Sequence, residues 1–417
     1  MNRIKKTRSD LLNIFSAAID AVGGETAVKK EILSGNYPDQ FHVVAIGKAA
    51  DAMLQGVIST ESSTEIQQKI KTALLISKHD HISEKMQNDP RVHAVESDHP
   101  LPKENTIKAG NLLLDYLKNL PKDDACVFLI SGGASALVEV LHEDWDLAQL
   151  QELTDYLLAN GYNINQMNAI RRRISKIKGG GLWQFVGNRP TFCLMISDVP
   201  GDNPADIGSG VLFPVDDIAL PELPERFTSK IPEFTQNQQS EGFIWKIIAS
   251  LDAAKKAASK KALELEYKVE IQPDFLDGDA SEVAKTCVKT SQENKNTLLI
   301  WGGETMVNLP ENPGAGGRNQ HLALSAAIAI DKTESVNTIL LAAGTDGSDG
   351  ISDATGALVD AETIKIGLAK NLNAEDYLQT SDSNSYLSAT RDAIVTGATG
   401  TNVMDLVMAI TLKQVQT

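Results

Sequence analysis

Residues 298–321 carry the side-chain types best suited to binding an anion. An apolar run ends in Gly303 and Glu304, and an open glycine-rich loop then leads to Arg318 and Asn319 at the start of an alanine-rich segment. The start of a helix presents free backbone N–H groups and the positive end of the helix dipole. An arginine there adds a planar, charged fork that fits phosphate or carboxylate. The stretch therefore predicts an anion site.

Four other apolar segments end in similar polar clusters, with the sequences GKAA at 47–50, SGGAS at 131–135, SDVPGD at 197–202 and GTDGSDG at 344–350. In open α/β sheets, ligands bind just beyond the carboxyl ends of the strands. We therefore expect these clusters to contribute to the same site as residues 298–321. The candidate binding residues in them are Gly47, Lys48, Ser131, Gly132, Gly133, Ala134, Ser135 and Asp198.

Each cluster also has a structural interpretation. SGGAS could be only a tight turn between a strand and a helix, or its backbone N–H groups could cradle phosphate. Lys48 could be a solvated lysine, but a cation at a helix start opposes the dipole, which favours a function. A basic run precedes three glycines and reads either as a solvated helix face or as an anion site; its members are Arg171, Arg172, Arg173, Lys176 and Lys178.

Isolated carboxylates follow three of the strand ends. Asp198, Glu304 and Asp346 could be turn residues, or they could hold Mg²⁺, which needs only one or two protein carboxylates beside substrate phosphates. Cations, glycine turns and carboxylates together fit phosphoryl transfer, which depends on positioning and charge neutralisation. The sequence contains neither GxxxxGK[ST] nor GxGxxG, so an ordinary nucleoside-triphosphate loop or dinucleotide site is not supported.

The elements that must position these clusters alternate between strand and helix along the chain. The strands are aliphatic and hardly alternate with polar residues, which is typical of parallel sheets covered by helices. The prediction is a two-domain α/β protein: a Rossmann-like parallel-sheet domain over 1–240, whose residues 213–240 resemble a linker, and a smaller α/β domain over 241–417. A long helix is predicted at 243–264, and the site is expected in a cleft between the domains.

Composition excludes several classes of protein. The chain has 417 residues and a formal net charge of −16, with a pI of about 4.9. Such an acidic chain is not expected to bind nucleic acid or an anionic membrane. Its three cysteines show no CxxC spacing and predict buried, reduced thiols. No apolar run approaches the ~20 residues of a membrane span, and the basic N-terminus lacks a signal peptide, so we expect a cytoplasmic protein.

The clusters also occur in an order that resembles the glycerate 2-kinase family, whose C-terminal part is the MOFRL domain. The similar segments, which span residues 8–412, include VAIGKAADAM, DHPLP, LISGGASAL, NAIRRRISKIKGGGL, SDVPGDNPADIGSG, GGETMV, GAGGRNQ, GTDGSDGISDATGA and TGATGTNVMDL. The resemblance implies ATP-dependent phosphorylation of D-glycerate to 2-phosphoglycerate, with Mg²⁺. It also implies that Lys48 and Arg318 are the main catalytic cations and that the GGAS turn lies at the nucleotide or phosphate side. Asn168, Arg172 and Lys178 of the basic motif are further candidate binding residues for substrate or nucleotide.

The sequence departs from the family pattern in places. Gln166 stands where the family usually has glutamate, and His321 follows Gln320 where glutamate is usual. Two other functions stay open: a hydroxypyruvate reductase, or a binding protein without catalysis or with another hydroxy acid as substrate. The expected partners are glycerate and a nucleotide. The oligomeric state is open, with a homodimer as one option.

Overall fold

A computed structural model describes residues 3–60, 69–333 and 337–413. The chain divides into two compact units. The N-terminal unit is Gly24–Ile248, and the C-terminal unit combines the segment before Gly24 with the chain from Ala249 onward. Helix α1 (Arg3–Val22) thus opens the chain but packs within the C-terminal unit. The predicted division at 240/241 and the predicted interdomain cleft stay predictions.

The N-terminal unit is built on one six-stranded sheet. Its strands are β1 (Gln40–Ile46), β2 (Lys69–Lys78), β3 (Val92–Ser97), β4 (Ala125–Ile130), β5 (Thr191–Ile196) and β6 (Ile244–Ala249). They lie in the order β3-β2-β1-β4-β5-β6, and β1 to β5 pair in parallel. Strands β4 and β5 are buried along their whole length, which explains their continuous apolar sequence.

Helices cover this sheet and fill the connections between its strands. They are α2 (Gly24–Ser34), α3 (Ala50–Thr60), α4 (Glu84–Gln87), α5 (Glu104–Asn119), α6 (Ala134–Leu137), α7 (Leu147–Ala159), α8 (Ile164–Ile174), α9 (Trp183–Val186) and α10 (Glu225–Thr228), with short 3-10 turns at Pro200–Asp202 and Ile207–Ser209. The strand order is the one common to dinucleotide-binding α/β folds, and it reverses between β1 and β4. The predicted Rossmann-like parallel sheet is confirmed.

The C-terminal unit contains a second six-stranded sheet. Its strands are β7 (Lys268–Leu276), β8 (Thr297–Gly303), β9 (Thr338–Gly344), β10 (Gly356–Asp360), β11 (Ala393–Ile394) and β12 (Asp405–Thr411), in the order β11-β10-β9-β12-β8-β7. Among the described strands of this sheet, only β7 and β8 pair in parallel, whereas β12 runs antiparallel to both β8 and β9. The predicted α/β class of this unit is confirmed, but the parallel arrangement that the strand pattern suggested for the whole chain does not hold here, because β12 inserts in the reverse direction.

The helices of the C-terminal unit are α1, α11 (Leu251–Glu264), α12 (Ala280–Glu293), α13 (Arg318–Lys332), α14 (Ala361–Ala369), α15 (Ala374–Gln379) and α16 (Ser383–Thr390). The single helix predicted at 243–264 is wrong: strand β6 occupies its start, and α11 begins only after Ser250. The Ser250 side chain accepts a hydrogen bond from Ala253 N and thereby caps α11. A serine before an apolar helical pattern was the available signal for this break.

Residues 213–240, predicted as a linker, contain little regular structure but pack within the N-terminal unit. Phe227 of this segment is buried against the apolar faces of α7 and α8, beside Trp145. The Trp145 indole N–H donates to the carbonyl of Lys230 at 2.8 Å.

Among the described residues, no single helix is long and apolar enough to cross a membrane, although α1 and α2 satisfy that test as a bent pair by length and composition only.

Candidate active site

The turns that follow β1 and β4 lie side by side in the N-terminal unit. The two strands pair in parallel up to Ile46 and Ile130. Beyond them, Lys48 N donates to the carbonyl of Gly132 at 2.9 Å, and Ala49 N donates to Ser131 Oγ at 3.1 Å. The structure therefore brings two predicted clusters together at the point where the strand order reverses, which is where ligands bind in such sheets.

The turn after β4 presents several backbone donors. In the part of the chain that the structure describes, the N–H groups of Gly132, Gly133 and Ser135 have no hydrogen-bond acceptor. Gly133 has a φ of 83°, and a Cβ there would lie 3.1 Å from the His99 ring and 3.3 Å from Lys48 Cγ. Donors of this kind beside a lysine suit a phosphate group. His99, which sequence reasoning left aside, thus lies against the turn.

The neighbouring residues of these clusters have packing roles. Gly47 has a φ of 133°, and a Cβ there would lie 2.1 Å from Ser131 Oγ, so only glycine fits. Ser135 Oγ lies 2.7 Å from Ser209 Oγ, which joins the turn after β4 to the loop after β5. Ala134 is buried. Asp198 begins that second loop and is half-buried at the same edge of the sheet.

The basic run on α8 and beyond it is largely neutralised. The Arg172 guanidinium donates to Asp206 Oδ1 at 2.6 Å and to the carbonyl of Ala205 at 2.8 Å. The Lys178 ammonium is buried and paired with the equally buried Glu139. Burial and pairing favour a structural role for both cations over the binding role that the sequence predicts. Asn168 lies half-buried on α8.

A cavity of about 420 Å³ lies between α8, the glycines after Lys178 and the segment at 213–240. Arg172 and Arg173 reach its wall, and each is paired with a carboxylate, Arg173 with Asp217. The Arg173 guanidinium also lies 5.0 Å from the centre of the Phe234 ring. Lys48 and the turn after β4 are not among its lining residues, so this cavity is distinct from the predicted phosphate site.

In the C-terminal unit, two carboxylates hold Arg318 at the start of α13. Asp405 accepts from Nε at 2.5 Å and from Nη2 at 3.0 Å, and Glu304 lies 2.7 Å from Nη1. The side chain of Asp405 is 6% exposed and that of Glu304 is 47% exposed. Burial alone would lower the pKa of Arg318, but these two carboxylates raise it. Arg318 is therefore a fixed cation with one exposed, displaceable partner.

The reversed direction of β12 explains why Asp405 is in this cluster. Asp405 lies opposite Gly303 on β8 and opposite Gly344 on β9. The amino end of β12 therefore lies beside the carboxyl ends of β8 and β9. Sequence reasoning missed Asp405 because it assumed parallel strands and searched only the carboxyl ends. Glycine is required at position 303 for a steric reason, since a Cβ there would lie 2.1 Å from the carbonyl oxygen of Leu276.

A second buried carboxylate, also missed, fixes the first turn of α13. Asp349 accepts from Asn319 N at 3.0 Å and from Gln320 N at 2.8 Å. Burial raises the pKa of Asp349 to about 6 against these hydrogen bonds, and the charge of Asp405 adds to the rise. Asn319, predicted to bind a ligand, is buried, and its Nδ2 lies 3.4 Å from the same carboxylate.

The candidate metal ligands are placed at strand ends. Asp346 follows β9 and accepts from Ser348 N at 3.1 Å, as a turn residue does. Among the described residues there is no group of three or more His, Cys, Asp or Glu side chains that could hold a metal ion. Arg318, Glu304 and Asp405 together carry a formal charge of −1, so an anionic ligand there needs an added cation. Exposed carboxylate oxygen is the donor type that Mg²⁺ prefers.

These two units define an α/β protein whose cations and glycine turns gather at the ends of sheet strands. A family model described as a domain of unknown function (DUF4147) matches residues 10–220, and the MOFRL family matches residues 297–405. A D-glycerate 2-kinase of Thermotoga maritima is 34% identical over 96% of this chain and 97% of its own length. The chain belongs to the glycerate 2-kinase family.

Two further comparisons concern the fold and the names used in the family. A crystal structure of glycerate kinase from Thermotoga maritima matches with a TM-score of 0.84 and 32% identity, over 98% of this chain and all of that one. A protein of Agrobacterium vitis named as a putative hydroxypyruvate reductase is 30% identical over 87% of this chain and 97% of its own length. The family thus carries names of two enzyme classes.

Proposed function

We propose that the chain is a kinase that transfers the γ-phosphoryl group of ATP to the 2-hydroxyl of D-glycerate, giving 2-phosphoglycerate and ADP. The observation that carries the proposal is the placement of Lys48 beside backbone donors of the turn after β4 that lack acceptors among the described residues. Phosphate is the ligand that such donors and a lysine suit best. The printed name of the Thermotoga maritima relative supplies the acceptor.

The proposed reaction assigns one task to each group. Lys48 and the turn after β4 hold the nucleotide phosphates, and Arg318 stabilises the charge on the transferring group. The 2-oxygen of glycerate forms a bond to the γ-phosphorus, and the bond from that phosphorus to the β,γ-bridging oxygen breaks. The hydroxyl proton passes to Asp198, which we assign by its position after β5.

We further propose that the reaction uses Mg²⁺, which Glu304 and Asp346 of the C-terminal unit would hold together with the nucleotide phosphates. When bound, the ion neutralises phosphate charge and orients the nucleotide. The formal charge of −1 on Arg318 and its two carboxylates supports this requirement. Arg318 exchanges its exposed partner Glu304 for phosphate, while buried Asp405 keeps its other edge in place.

ADP release is the direct test. Purified protein is incubated with MgATP and D-glycerate, L-glycerate or tartronate, and ADP is measured with a coupled assay. We expect turnover with D-glycerate, with losses of ~10³ or more for Lys48→Met and Arg318→Ala. Lys176→Met is the matched control, because Lys176 pairs with the exposed Glu143. No ADP with any of the acceptors would refute the proposal.

The name of the Agrobacterium vitis relative favours hydroxypyruvate reduction as the second candidate. Oxidation of NADH or NADPH in the presence of hydroxypyruvate, at a rate comparable to the rate of ADP release with D-glycerate, would support a reductase. The absent GxGxxG sequence argues against it. A binding protein without catalysis, the third possibility, would bind glycerate and nucleotide tightly without forming ADP. The cytoplasmic location and the homodimer stay predictions, as does the lack of nucleic-acid and membrane partners.

A further inference from the structure

Arg171 differs from every other cation of the basic run. Four of the five cations have a carboxylate partner: Arg172 with Asp206, Arg173 with Asp217, Lys176 with Glu143 and Lys178 with Glu139. Within the described residues, the Arg171 side chain makes no hydrogen bond and no ion pair. It is nevertheless half-buried on the last turn of α8.

The carboxylate whose charge acts on Arg171, that of Glu139, is already committed to other donors. Glu139 Oε1 accepts from Ser175 Oγ at 2.5 Å and from Val140 N at 3.0 Å, and its other oxygen accepts from Lys178. Glu139 therefore acts on Arg171 only through its charge. Burial lowers the pKa of Arg171 and this charge opposes the fall, so the guanidinium stays ionised, and no acceptor among the described residues takes its N–H groups. A partly desolvated arginine without a partner is suited to an incoming anion.

The charge of Glu139 is what links Arg171 to the part of the chain that follows the proposed phosphate turn. Glu139 follows α6, which is a single turn of about 6 Å that begins at the turn after β4. Asn168 lies one helical turn before Arg171 on the same face of α8 and is also half-buried. A guanidinium beside a side-chain amide can bind a carboxylate and an adjacent hydroxyl together.

We infer that Arg171 binds the carboxylate of the hydroxy-acid acceptor, with Asn168 on its hydroxyl group. This inference rests on the proposed kinase function. That function uses Lys48 and Arg318 for the phosphates and leaves the acceptor's own negative charge without a cation. The planar fork of arginine pairs with a carboxylate through two parallel hydrogen bonds, which a lysine cannot reproduce. Arg171 thereby selects carboxylates over neutral polyols.

The test compares D-glycerate with D-glyceramide, which keeps both hydroxyls but has no charge. Arg171→Ala should lower kcat/KM for D-glycerate roughly 10- to 100-fold and leave the KM for ATP unchanged. The preference for D-glycerate over D-glyceramide should shrink by the same factor. Added methylguanidinium should restore part of the turnover that Arg171→Ala loses. Arg171→Lys keeps the charge without the fork, so its kcat/KM for D-glycerate should lie between those of wild type and Arg171→Ala.

Arg173→Ala is the control, because Arg173 is on the same helix and already has a carboxylate partner. It should keep the wild-type preference. An Arg171→Ala variant that folds and keeps the wild-type preference, or whose loss falls on the KM for ATP, would overturn the inference. Failure of wild-type protein to phosphorylate D-glycerate would instead remove the proposed function on which the inference rests.

Discussion

Asp349 makes the C-terminal unit sensitive to pH, and Asp349→Asn should remove that sensitivity. Its side chain is buried with only 3% exposed, and it accepts from the backbone N–H groups of Asn319 and Gln320 at the start of α13. The same helix start presents Arg318. The ionised carboxylate therefore holds the first turn of the helix but is taken out of water to do so.

The raised pKa fixes the sign and the size of the effect. The pKa of Asp349 is about 6 in the folded chain, against about 3.9 in an unfolded one. Protonated Asp349 favours the folded state, so its contribution is fully present below pH ~4 and is lost as the pH rises to ~6. A difference of about 2 pKa units corresponds to about 3 kcal/mol.

Urea unfolding between pH 4 and 7 measures this contribution. The free energy of unfolding of wild-type protein minus that of Asp349→Asn should fall by about 2 kcal/mol between pH 4 and pH 6 and should level off above pH ~7. Asp279→Asn is the matched control, because it replaces an exposed carboxylate cap, that of α12, by an amide without a buried charge. A wild-type-minus-variant difference that stays constant or grows with pH would refute the reasoning.

Two further predictions concern the charged clusters. Arg318→Ala should keep the fold by circular dichroism but lose ~10³ or more in kcat, and a loss of less than tenfold in steady-state assays would contradict its catalytic role. Lys178→Met should destabilise the chain by about 3–5 kcal/mol, because it leaves Glu139 buried without its cation. Adding Glu139→Gln should recover much of that loss in urea unfolding, and full stability of the single variant would contradict the pairing.

The parts of the site that follow buried parallel strands could be predicted from sequence. Apolar runs such as residues 125–130 are short and are followed at once by glycines, which favours a strand over a helix, and the polar residues that follow such a strand lie at the carboxyl edge of the sheet. Lys48 and Ser131 were placed together in this way, and their backbones are in fact adjacent. Local periodicity and the residues that follow a strand are enough to predict this part of the site, because neither depends on residues distant in the sequence.

The residues that were missed depend on long-range pairing. Asp405 joins Arg318 from 87 residues away, through a strand whose antiparallel direction no local pattern gives. Lys178 looked available for a ligand because its partner, Glu139, is 39 residues distant. Only the folded chain shows that such a charge is already neutralised.

One departure from the family pattern has a structural explanation. Gln166 stands where the family usually has glutamate, and it forms a capping box with Asn163. The side-chain oxygen of Gln166 accepts from the backbone N–H of Asn163 at 3.0 Å, and the backbone N–H of Gln166 donates to Asn163 Oδ1 at 3.0 Å. An amide can perform this capping role as a carboxylate does, so the start of α8 is preserved despite the lost charge.

The identity of the phosphorylated product tests the central claim most directly. Protein is incubated with D-glycerate and MgATP, and the product is followed by phosphorus NMR with authentic 2- and 3-phosphoglycerate as standards. We expect 2-phosphoglycerate and ADP in equal amounts, and product formation slower by ~10³ or more with the Lys48→Met variant. Phosphorylation at the 3-position, or full turnover by Lys48→Met, would contradict the account.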